Sequence, residues 1–95
     1  MAGYAIISVE VKDEDAYNRA LEQVPAVVEA HGGRYLVRGG VAEAIRGDWK
    51  PDRLVIVEFD SVEQARKWQD GADFADLREK LSQAANTDVV IVEGV

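Results

Sequence analysis

Hydrophobic and polar residues alternate in four short stretches of the chain, and this pattern predicts four β-strands. The stretches cover residues 4–11, 34–38, 53–59 and 89–93. Because strand side chains point alternately to opposite faces of a sheet, each stretch presents one mainly apolar face and one mixed face. The apolar face of each strand is expected to pack on the core.

Between the first two predicted strands, apolar residues recur at steps of three and four, which predicts a helical region. Asp13 is the predicted cap, because its carboxylate can accept a hydrogen bond from the backbone of the first turn. Pro25 interrupts the region, since a proline inside a helix removes a backbone hydrogen bond and crowds the preceding turn. We therefore expect a kink, or two abutting helices, near Val24, with Gly32 as the final stop.

A second helical region follows the third predicted strand. Ser61 and Gln64 form a capping-box pair that opens it, and Gly71 interrupts it. The apolar positions change phase beyond Gly71, so we expect a new helix there, capped by Asp73. The residues expected to face inward from these two helices are Val62, Ala65, Trp68, Phe74, Leu77, Leu81 and Ala84.

The order of predicted elements is strand, helix, strand, strand, helix pair, strand. This order predicts an α+β fold of the ferredoxin-like split β-α-β-β-α-β type, in which helices cover one face of a four-stranded antiparallel sheet. No linker, repeat or low-complexity segment divides the chain. Residues 1–95 are therefore expected to form a single domain.

The sheet face away from the helices is rich in aliphatic residues. A solvated face of an antiparallel sheet carries mostly polar residues, so a second copy of the chain packed on this face would explain the composition. Arg34 and Arg38 are expected on this same face, because alternate positions of a strand share a face. There they would pair with Glu10 or Glu58, since unpaired charges between packed sheets are costly. The pattern thus predicts a homodimer formed through the sheet face.

The composition of the chain limits the kinds of partner it can bind and the cellular compartment in which it is expected. The chain has 95 residues and a formal net charge of −7, which disfavours binding to nucleic acid or to a membrane surface. It has no cysteine, which excludes disulfides, thiolate metal sites and a cysteine nucleophile. The N-terminal residues lack the basic segment of a signal peptide, and no apolar run is long enough to span a membrane. A cytoplasmic protein is expected.

Several sequence landmarks follow one another in a fixed order. They are GGRYLVRGG, GDWKPDRLVIVEFDS, Trp68, the pair Asp73 and Phe74, Arg78, and a final DVVIVEG. This series resembles the small bacterial proteins called domain of unknown function 1330. The resemblance implies a dimeric α+β barrel, in which two ferredoxin-like sheets close face to face. Where family members often carry WY-x-S-P-E-Y, this chain has WQDGADF, which lacks the two tyrosine hydroxyls and the serine.

His31 is the only histidine, and it could act as a general base near neutral pH. A histidine in the last turn of a helix can equally have a structural role, by interacting with the helix dipole and packing its ring. Without a second histidine or a cysteine, the sequence predicts no metal site. It also has no phosphate-binding or dinucleotide-binding motif, and we expect no cofactor.

Three arginines are candidates for binding an anion. Arg34 and Arg38 could bind a carboxylate or enolate oxygen through the guanidinium fork, although structural ion pairs explain them as well. Arg78 could reach a ligand, or it could pair with Asp73 or Asp76 on its own helix.

Aromatic residues indicate two further regions. Tyr17 and Trp68 lie on inward helical faces, where they either line a pocket between helices and sheet or belong to the core. Trp49 and Arg53 flank Pro51 in the loop before the third strand. A large aromatic residue in such a loop is typical of a lid or of an interface anchor.

Two functions remain open. The first is a cytosolic homodimer that binds a small organic molecule between helices and sheet; its candidate ligand-binding residues are Tyr17, Trp49, Arg53, Trp68 and Arg78. The second, which the superfamily resemblance implies, is a cofactor-independent enzyme of the isomerase, decarboxylase or monooxygenase type. In that enzyme His31 would move a proton and Arg38 would stabilise an enolate-like oxyanion.

Overall fold

The computed structural model describes all 95 residues and contains four strands and four helices. In chain order these are β1 (Gly3–Val11), α1 (Glu14–Leu21), α2 (Val24–Ala30), β2 (Arg34–Gly40), β3 (Arg53–Phe59), α3 (Val62–Asp70), α4 (Ala72–Ala84) and β4 (Ala85–Glu93). The strands form one antiparallel sheet in the order β2-β3-β1-β4. The predicted ferredoxin-like α+β fold is confirmed.

The helices pack on one face of the sheet, here named the inner face; the opposite one is the outer face. Ala5, Val57 and Phe59 point from the inner face into the core and are at most 1% exposed. Trp68 of α3 lies between Phe59 and Phe74, with ring centroids 5.4 and 5.1 Å away. No charged residue is buried in this core. Burial of apolar surface, worth about 25 cal/mol per Å², therefore holds the helices on the sheet.

The first helical region is divided where Pro25 predicts. α1 ends at Leu21 and α2 begins at Val24, so the proline occupies the first turn of α2, where a backbone N–H is not needed. The predicted cap of α1 is confirmed, because the Asp13 carboxylate accepts a hydrogen bond of 3.1 Å from the Ala16 N–H. None of the four helices is long and apolar enough to cross a membrane.

Of the two caps predicted for the second helical region, the structure confirms the one of α3 and contradicts the one of α4. The Ser61 hydroxyl oxygen accepts a hydrogen bond of 3.1 Å from the Gln64 N–H, as predicted for α3. The predicted cap of α4 by Asp73 is wrong, since Gly71 precedes the helix as its cap. Asp73 lies in the first turn, where its charge suits the helix dipole, and its carboxylate contacts His31 instead.

β2 contains a bulge that the sequence analysis did not predict. Tyr35 opposes Val57, whereas Val37 opposes the next residue of β3, Ile56. Leu36 is therefore an extra residue in β2. One extra residue shifts the alternation of side chains by one position for all residues that follow it in the strand.

The bulge moves Arg38 to the other face of the sheet. Arg34 precedes the bulge and opposes Glu58 on the outer face, whereas Arg38 follows it and opposes Val55 on the inner face. The prediction that the two arginines share a face is wrong, because it assumed an uninterrupted strand. Gly39 and Gly40 predict a bulge or bend after Arg38. The structure confirms this with a second bulge at Gly39, whose φ of +73° favours glycine.

Two segments have limits that differ from the predicted ones. The glycine pair after Arg38 predicts a bend beyond which an extended arm continues over residues 41–46. The structure differs, because residues 41–52 join β2 to β3 without a helix or a strand and pair with no neighbour. β4 begins at Ala85, four residues earlier than predicted, because Asn86, Thr87 and Asp88 already pair with β1.

Candidate ligand-binding cavity

A cavity of about 370 Å³ lies between the inner face and the helices. All four strands and all four helices contribute to its wall, which is mostly apolar. Volumes of this size are typical of pockets for small organic molecules. The aliphatic part of the wall includes Ile7, Val9, Leu21, Val55, Leu81 and Val89.

Three arginines also line the cavity: Arg38 from β2, Arg53 from β3 and Arg78 from α4. No aspartate or glutamate lines it. Since the whole chain carries a formal net charge of −7, the positive charge here is a local feature. The cavity thus combines an apolar wall with cationic groups.

Two of these arginines have partners within the chain. The Arg53 Nη2 donates a hydrogen bond of 2.6 Å to Glu14 Oε1, and its guanidinium lies 5.4 Å from the centroid of the Tyr17 ring. The Arg78 Nη1 donates to the backbone carbonyl of Gln69. Both guanidinium groups are therefore positioned by protein acceptors.

Arg38 differs from them, because it takes part in none of the ion pairs or side-chain hydrogen bonds of the chain. Its guanidinium lies over the Tyr35 ring, 4.8 Å from the centroid. A cation–π contact needs no hydrogen bond, so the N–H groups of Arg38 remain available to an acceptor. Of the three arginines in the cavity wall, Arg38 therefore has the most N–H groups without an acceptor.

Two tyrosines contribute hydroxyl groups to the same wall. Burial raises the pKa of Tyr17, an effect that Arg53 partly offsets. Burial likewise raises the pKa of Tyr35, and Arg38 offsets part of that rise. Both phenols are therefore neutral at physiological pH, and each can donate a hydrogen bond.

The indole of Trp68 has an unsatisfied donor. Trp68 lines the cavity and is 1% exposed, and its Nε1 is a buried side-chain atom without a hydrogen-bond partner. No other buried side-chain nitrogen or oxygen in the chain lacks one. Leaving a buried donor unsatisfied costs about 1–3 kcal/mol.

Five of the seven candidate residues from the sequence meet at this cavity: Tyr17, Arg38, Arg53, Trp68 and Arg78. Trp49 does not. It is 63% exposed on the connection between β2 and β3, beside a shallower and more polar depression.

His31 lies outside the cavity, at the C-terminal end of α2. Its Nε2 is 3.0 Å from Asp73 Oδ2, and its backbone carbonyl accepts a hydrogen bond of 2.9 Å from Gln64 Nε2. These contacts connect α2 to α3 and α4. The structure therefore does not bring His31 together with Arg38, as the enzyme hypothesis requires. It also contains no group of three or more His, Asp or Glu side chains placed to hold a metal ion.

Sequence reasoning missed Tyr35 as a residue of the cavity. The alternation of β2 places it on the inner face, but only the bulge brings Arg38 to that face beside it. The polar residues Gln69, Ser82 and Thr87 were also missed. Such residues are common on any protein surface, so their identity alone does not indicate that they line a cavity.

The outer face has its own polar cluster around Glu58. This carboxylate accepts a hydrogen bond of 2.8 Å from the Tyr4 hydroxyl and another of 2.8 Å from Arg34 Nε. The Tyr4 bond and then the Arg34 bond lower the pKa of Glu58, and the bond to Glu58 raises the pKa of Tyr4. The predicted pairing is confirmed for Arg34, within one chain, and is wrong for Arg38.

The rest of the outer face is largely apolar and uncovered. Val90 is 59% exposed, Leu36 54% and Val92 44%. These side chains have no helix above them, because all the helices pack on the inner face.

Several solved structures share this fold. A protein of unknown function from Rhodopseudomonas palustris aligns with 18% identity and a TM-score of 0.77, over 99% of this chain and 82% of that chain. A dimeric ferredoxin-like protein of unknown function from Jannaschia aligns with 13% identity and a TM-score of 0.66, over 99% and 100% of the two chains. SnoaB, a cofactor-independent oxygenase from Streptomyces nogalater, aligns with 9% identity and a TM-score of 0.59, over 99% and 91%. At these identities the similarity shows the fold alone.

Sequence comparison identifies the family. No curated protein matches the chain. One family profile, described as Domain of unknown function (DUF1330), matches residues 2–95. The match extends over almost the whole sequence, including the glycine-flanked β2 and the β4 segment whose residues carried the resemblance. The chain therefore belongs to the DUF1330 family.

Proposed function

We propose that this protein is a cytosolic homodimer in which each subunit binds a small, mainly apolar organic molecule. The ligand occupies the cavity between the inner face and the helices, and the second subunit covers the outer face. The cavity of about 370 Å³ is the observation that carries the binding function. Protein interiors contain few voids larger than a water molecule, so an unused cavity of this size would be a cost to stability.

The polar atoms of the wall support this proposal. Sites for small molecules combine an apolar lining with a few polar groups that fix the orientation of the ligand. Tyr17 and Tyr35 supply neutral hydroxyl groups, and Trp68 supplies a buried N–H that no protein atom satisfies. An acceptor on the ligand would recover the free energy that an unsatisfied donor costs.

The homodimer is supported by the outer face. Val90, Leu36 and Val92 expose apolar surface where a solvated sheet would carry polar residues. The Cα atoms extend over 32 × 30 Å in the two longest directions, which provides a face of the size that stable interfaces need, about 800 Å² per partner. The Jannaschia protein of the same fold is described as dimeric.

Nuclear magnetic resonance can test the binding function directly, because the two tryptophans give two indole N–H signals. Trp68 reports on the cavity, and the exposed Trp49 serves as the internal control. Titration with a panel of mono- and bicyclic aromatic compounds, including 2-naphthoate and 2-naphthamide, is expected to shift the Trp68 signal saturably and leave the Trp49 signal in place. If no compound moves the Trp68 signal, the binding function is overturned.

Catalysis is the second candidate function, and the fold shared with SnoaB and the presence of Arg38 in the cavity favour it. An unpaired guanidinium suits an enolate-like oxyanion. The general base is the difficulty, since His31 does not line the cavity and burial keeps Tyr17 and Tyr35 protonated. Oxygen uptake with an electron-rich substrate such as 1,4-dihydroxynaphthalene tests this function. Turnover that Arg38→Ala abolishes would support it, and turnover equal to the buffer rate would eliminate oxygenation.

A further inference from the structure

We infer that the cavity selects an organic anion, a carboxylate carried on an apolar body, and that Arg38 is the residue that binds the carboxylate. This inference rests on the proposed ligand-binding function and specifies its ligand. Three features of the structure support this inference: the positive charge of the cavity wall, the N–H groups of Arg38 that have no acceptor, and the bulge in β2.

The local charge is the first feature. Arg38, Arg53 and Arg78 line one cavity without any acidic residue, in a chain whose formal net charge is −7. Glu14 neutralises Arg53 through an ion pair of 2.6 Å, so two of the three charges have no carboxylate partner. The chain has more acidic than basic residues, yet none of its carboxylates pairs with Arg38 or Arg78. The side chains of Arg38 and Arg78 are exposed, so these two charges lie where the apolar wall of the cavity meets solvent.

The second feature is the contrast between Arg38 and the other arginines of the site. Arg53 donates to Glu14, and Arg78 donates to the carbonyl of Gln69, whereas Arg38 donates to no protein atom. Its guanidinium carbon lies over the Tyr35 ring, 4.8 Å from the centroid. This cation–π contact restricts the position of the group, and none of its N–H groups donates to the protein, so the guanidinium fork can bind a carboxylate with two hydrogen bonds.

The third feature is the bulge at Leu36. With regular pairing, Arg38 would lie opposite Leu54 on the outer face; the extra residue places it opposite Val55 on the inner face. An irregular strand loses ladder hydrogen bonds, and bulges are found where a side chain must be redirected towards a site. The result of this one is a charged side chain at the edge of an apolar cavity, a position that an anionic ligand stabilises.

The polar groups close to Arg38 also fit an acid rather than a cation. Burial raises the pKa of Tyr35, Arg38 lowers it, and Tyr17 and Glu29 raise it slightly; of these groups only Glu29 does not line the cavity. Tyr17 and Tyr35 stay protonated, so they add hydrogen-bond donors and no negative charge. A cationic ligand would meet three guanidinium groups and no carboxylate in this wall.

Isothermal titration calorimetry with two probes of the same shape tests the inference. 2-Naphthoate and 2-naphthamide share an aromatic body and differ in charge. In low-salt buffer at neutral pH, the parent is expected to bind the carboxylate at least about tenfold more tightly, as charge-assisted hydrogen bonds are stronger than neutral ones. Arg38→Ala is expected to remove this preference and to weaken the binding of 2-naphthamide less than that of 2-naphthoate, because the amide carbonyl accepts only a weaker hydrogen bond from the guanidinium.

Arg66→Ala is the matched control, because it removes the same charge from an exposed position of α3 that does not line the cavity. It should keep the preference for 2-naphthoate. A urea midpoint close to that of the parent shows that Arg38→Ala is folded. Arg38→Lys, which keeps the charge without the planar fork, is expected to retain only part of the preference.

The outcomes separate the inference from the proposed function on which it rests. Equal binding of both probes to the parent would overturn the inference and leave the binding function standing. A preference for 2-naphthoate that survives in Arg38→Ala would overturn the role of Arg38. Binding of neither probe, together with no shift of the Trp68 indole signal across the aromatic panel, would overturn the proposed function itself.

Discussion

Arg34 and Arg38 lie in the same strand, yet the outer face supplies Arg34 with a carboxylate at 2.8 Å and the inner face supplies Arg38 with none. The two surroundings differ in more than this ion pair. Glu58, Tyr4 and Arg34 satisfy one another on the outer face. In the cavity wall beside the inner face, the donors of Arg38 and of the Trp68 indole have no protein acceptor.

This difference indicates that the faces have different roles. A polar cluster whose members satisfy one another can be covered by a second subunit at low cost, because no charge is left unpaired. A wall that keeps unsatisfied donors beside an apolar cavity is suited to a ligand that brings its own acceptor. The following substitutions test that distinction, in order of decreasing expected effect.

Truncating a core residue of the inner face should have the largest effect on folding. Phe59→Ala removes a ring that is completely buried and stacked on Trp68, and it should lower the free energy of unfolding by about 3–5 kcal/mol. Val92→Ala on the outer face removes a side chain that is 44% exposed in one chain and should cost less than about 1 kcal/mol at subunit level. Urea denaturation measures both. Equal losses would contradict the assignment of the core to the inner face.

A charge on the outer face should weaken the proposed homodimer. Val90→Glu places an unpaired carboxylate where the partner subunit is expected, which should raise the dimer dissociation constant at least about 100-fold. Light scattering at low micromolar concentration would report two chains for the parent and one for the variant.

Asn18→Glu is the control for this test. It adds the same charge at an exposed position of α1, on the helix side of the molecule, and should leave the mass of two chains unchanged. A parent that scatters as one chain, or a Val90→Glu variant that stays dimeric, would exclude the outer face as the interface.

Acid should weaken the polar cluster of the outer face. Hydrogen bonds from Tyr4 and Arg34 lower the pKa of Glu58 below its ordinary 4.5. A depressed pKa in the folded state means that the stabilisation is present above the unfolded pKa and is lost as the pH falls through the folded value. The parent should therefore lose stability below about pH 5 more steeply than Glu58→Gln. Urea midpoints between neutral and acid pH measure this, and parallel profiles would contradict it.

His31→Ala should have the smallest effect. It removes the contact of 3.0 Å with Asp73, which is half exposed, and the interaction with the end of α2, at a cost of about 0.3–1 kcal/mol. The affinity for 2-naphthoate should not change, because His31 does not line the cavity. A double-mutant cycle with Asp73→Ala isolates the pair. A loss of ligand binding in His31→Ala would contradict this prediction and would show that His31 contributes to the functional site.

Local signals in the sequence predicted most of the secondary structure correctly. Asp13, Pro25 and Ser61 act through the backbone within one helical turn, so their effects can be derived without knowledge of the fold. Asp73 was misassigned because α4 begins at Ala72, one residue before it, and its carboxylate contacts His31 instead of the helix backbone. Its partner is 42 residues away in the chain, and no local pattern indicates that contact.

The candidate site could be predicted only in part. Tyr17 and Trp68 were found because their helical periodicity faces the sheet. Arg38 was chosen for its chemistry and placed on the wrong face. Its environment depends on a register that nothing within residues 34–40 specifies.

The sequence by itself determined the order of the elements, the positions of most helix ends and the family, because each of these follows from periodicity, capping residues or shared landmarks. The tertiary structure alone decided which arginine faces the cavity. The pairing of β2 with β3 sets which face of the sheet each β2 side chain lies on. The single extra residue at Leu36 moves Arg38 to the opposite face. A strand's faces are set by its pairing with a distant segment, so the chemistry of this site appeared only once β2 and β3 were aligned.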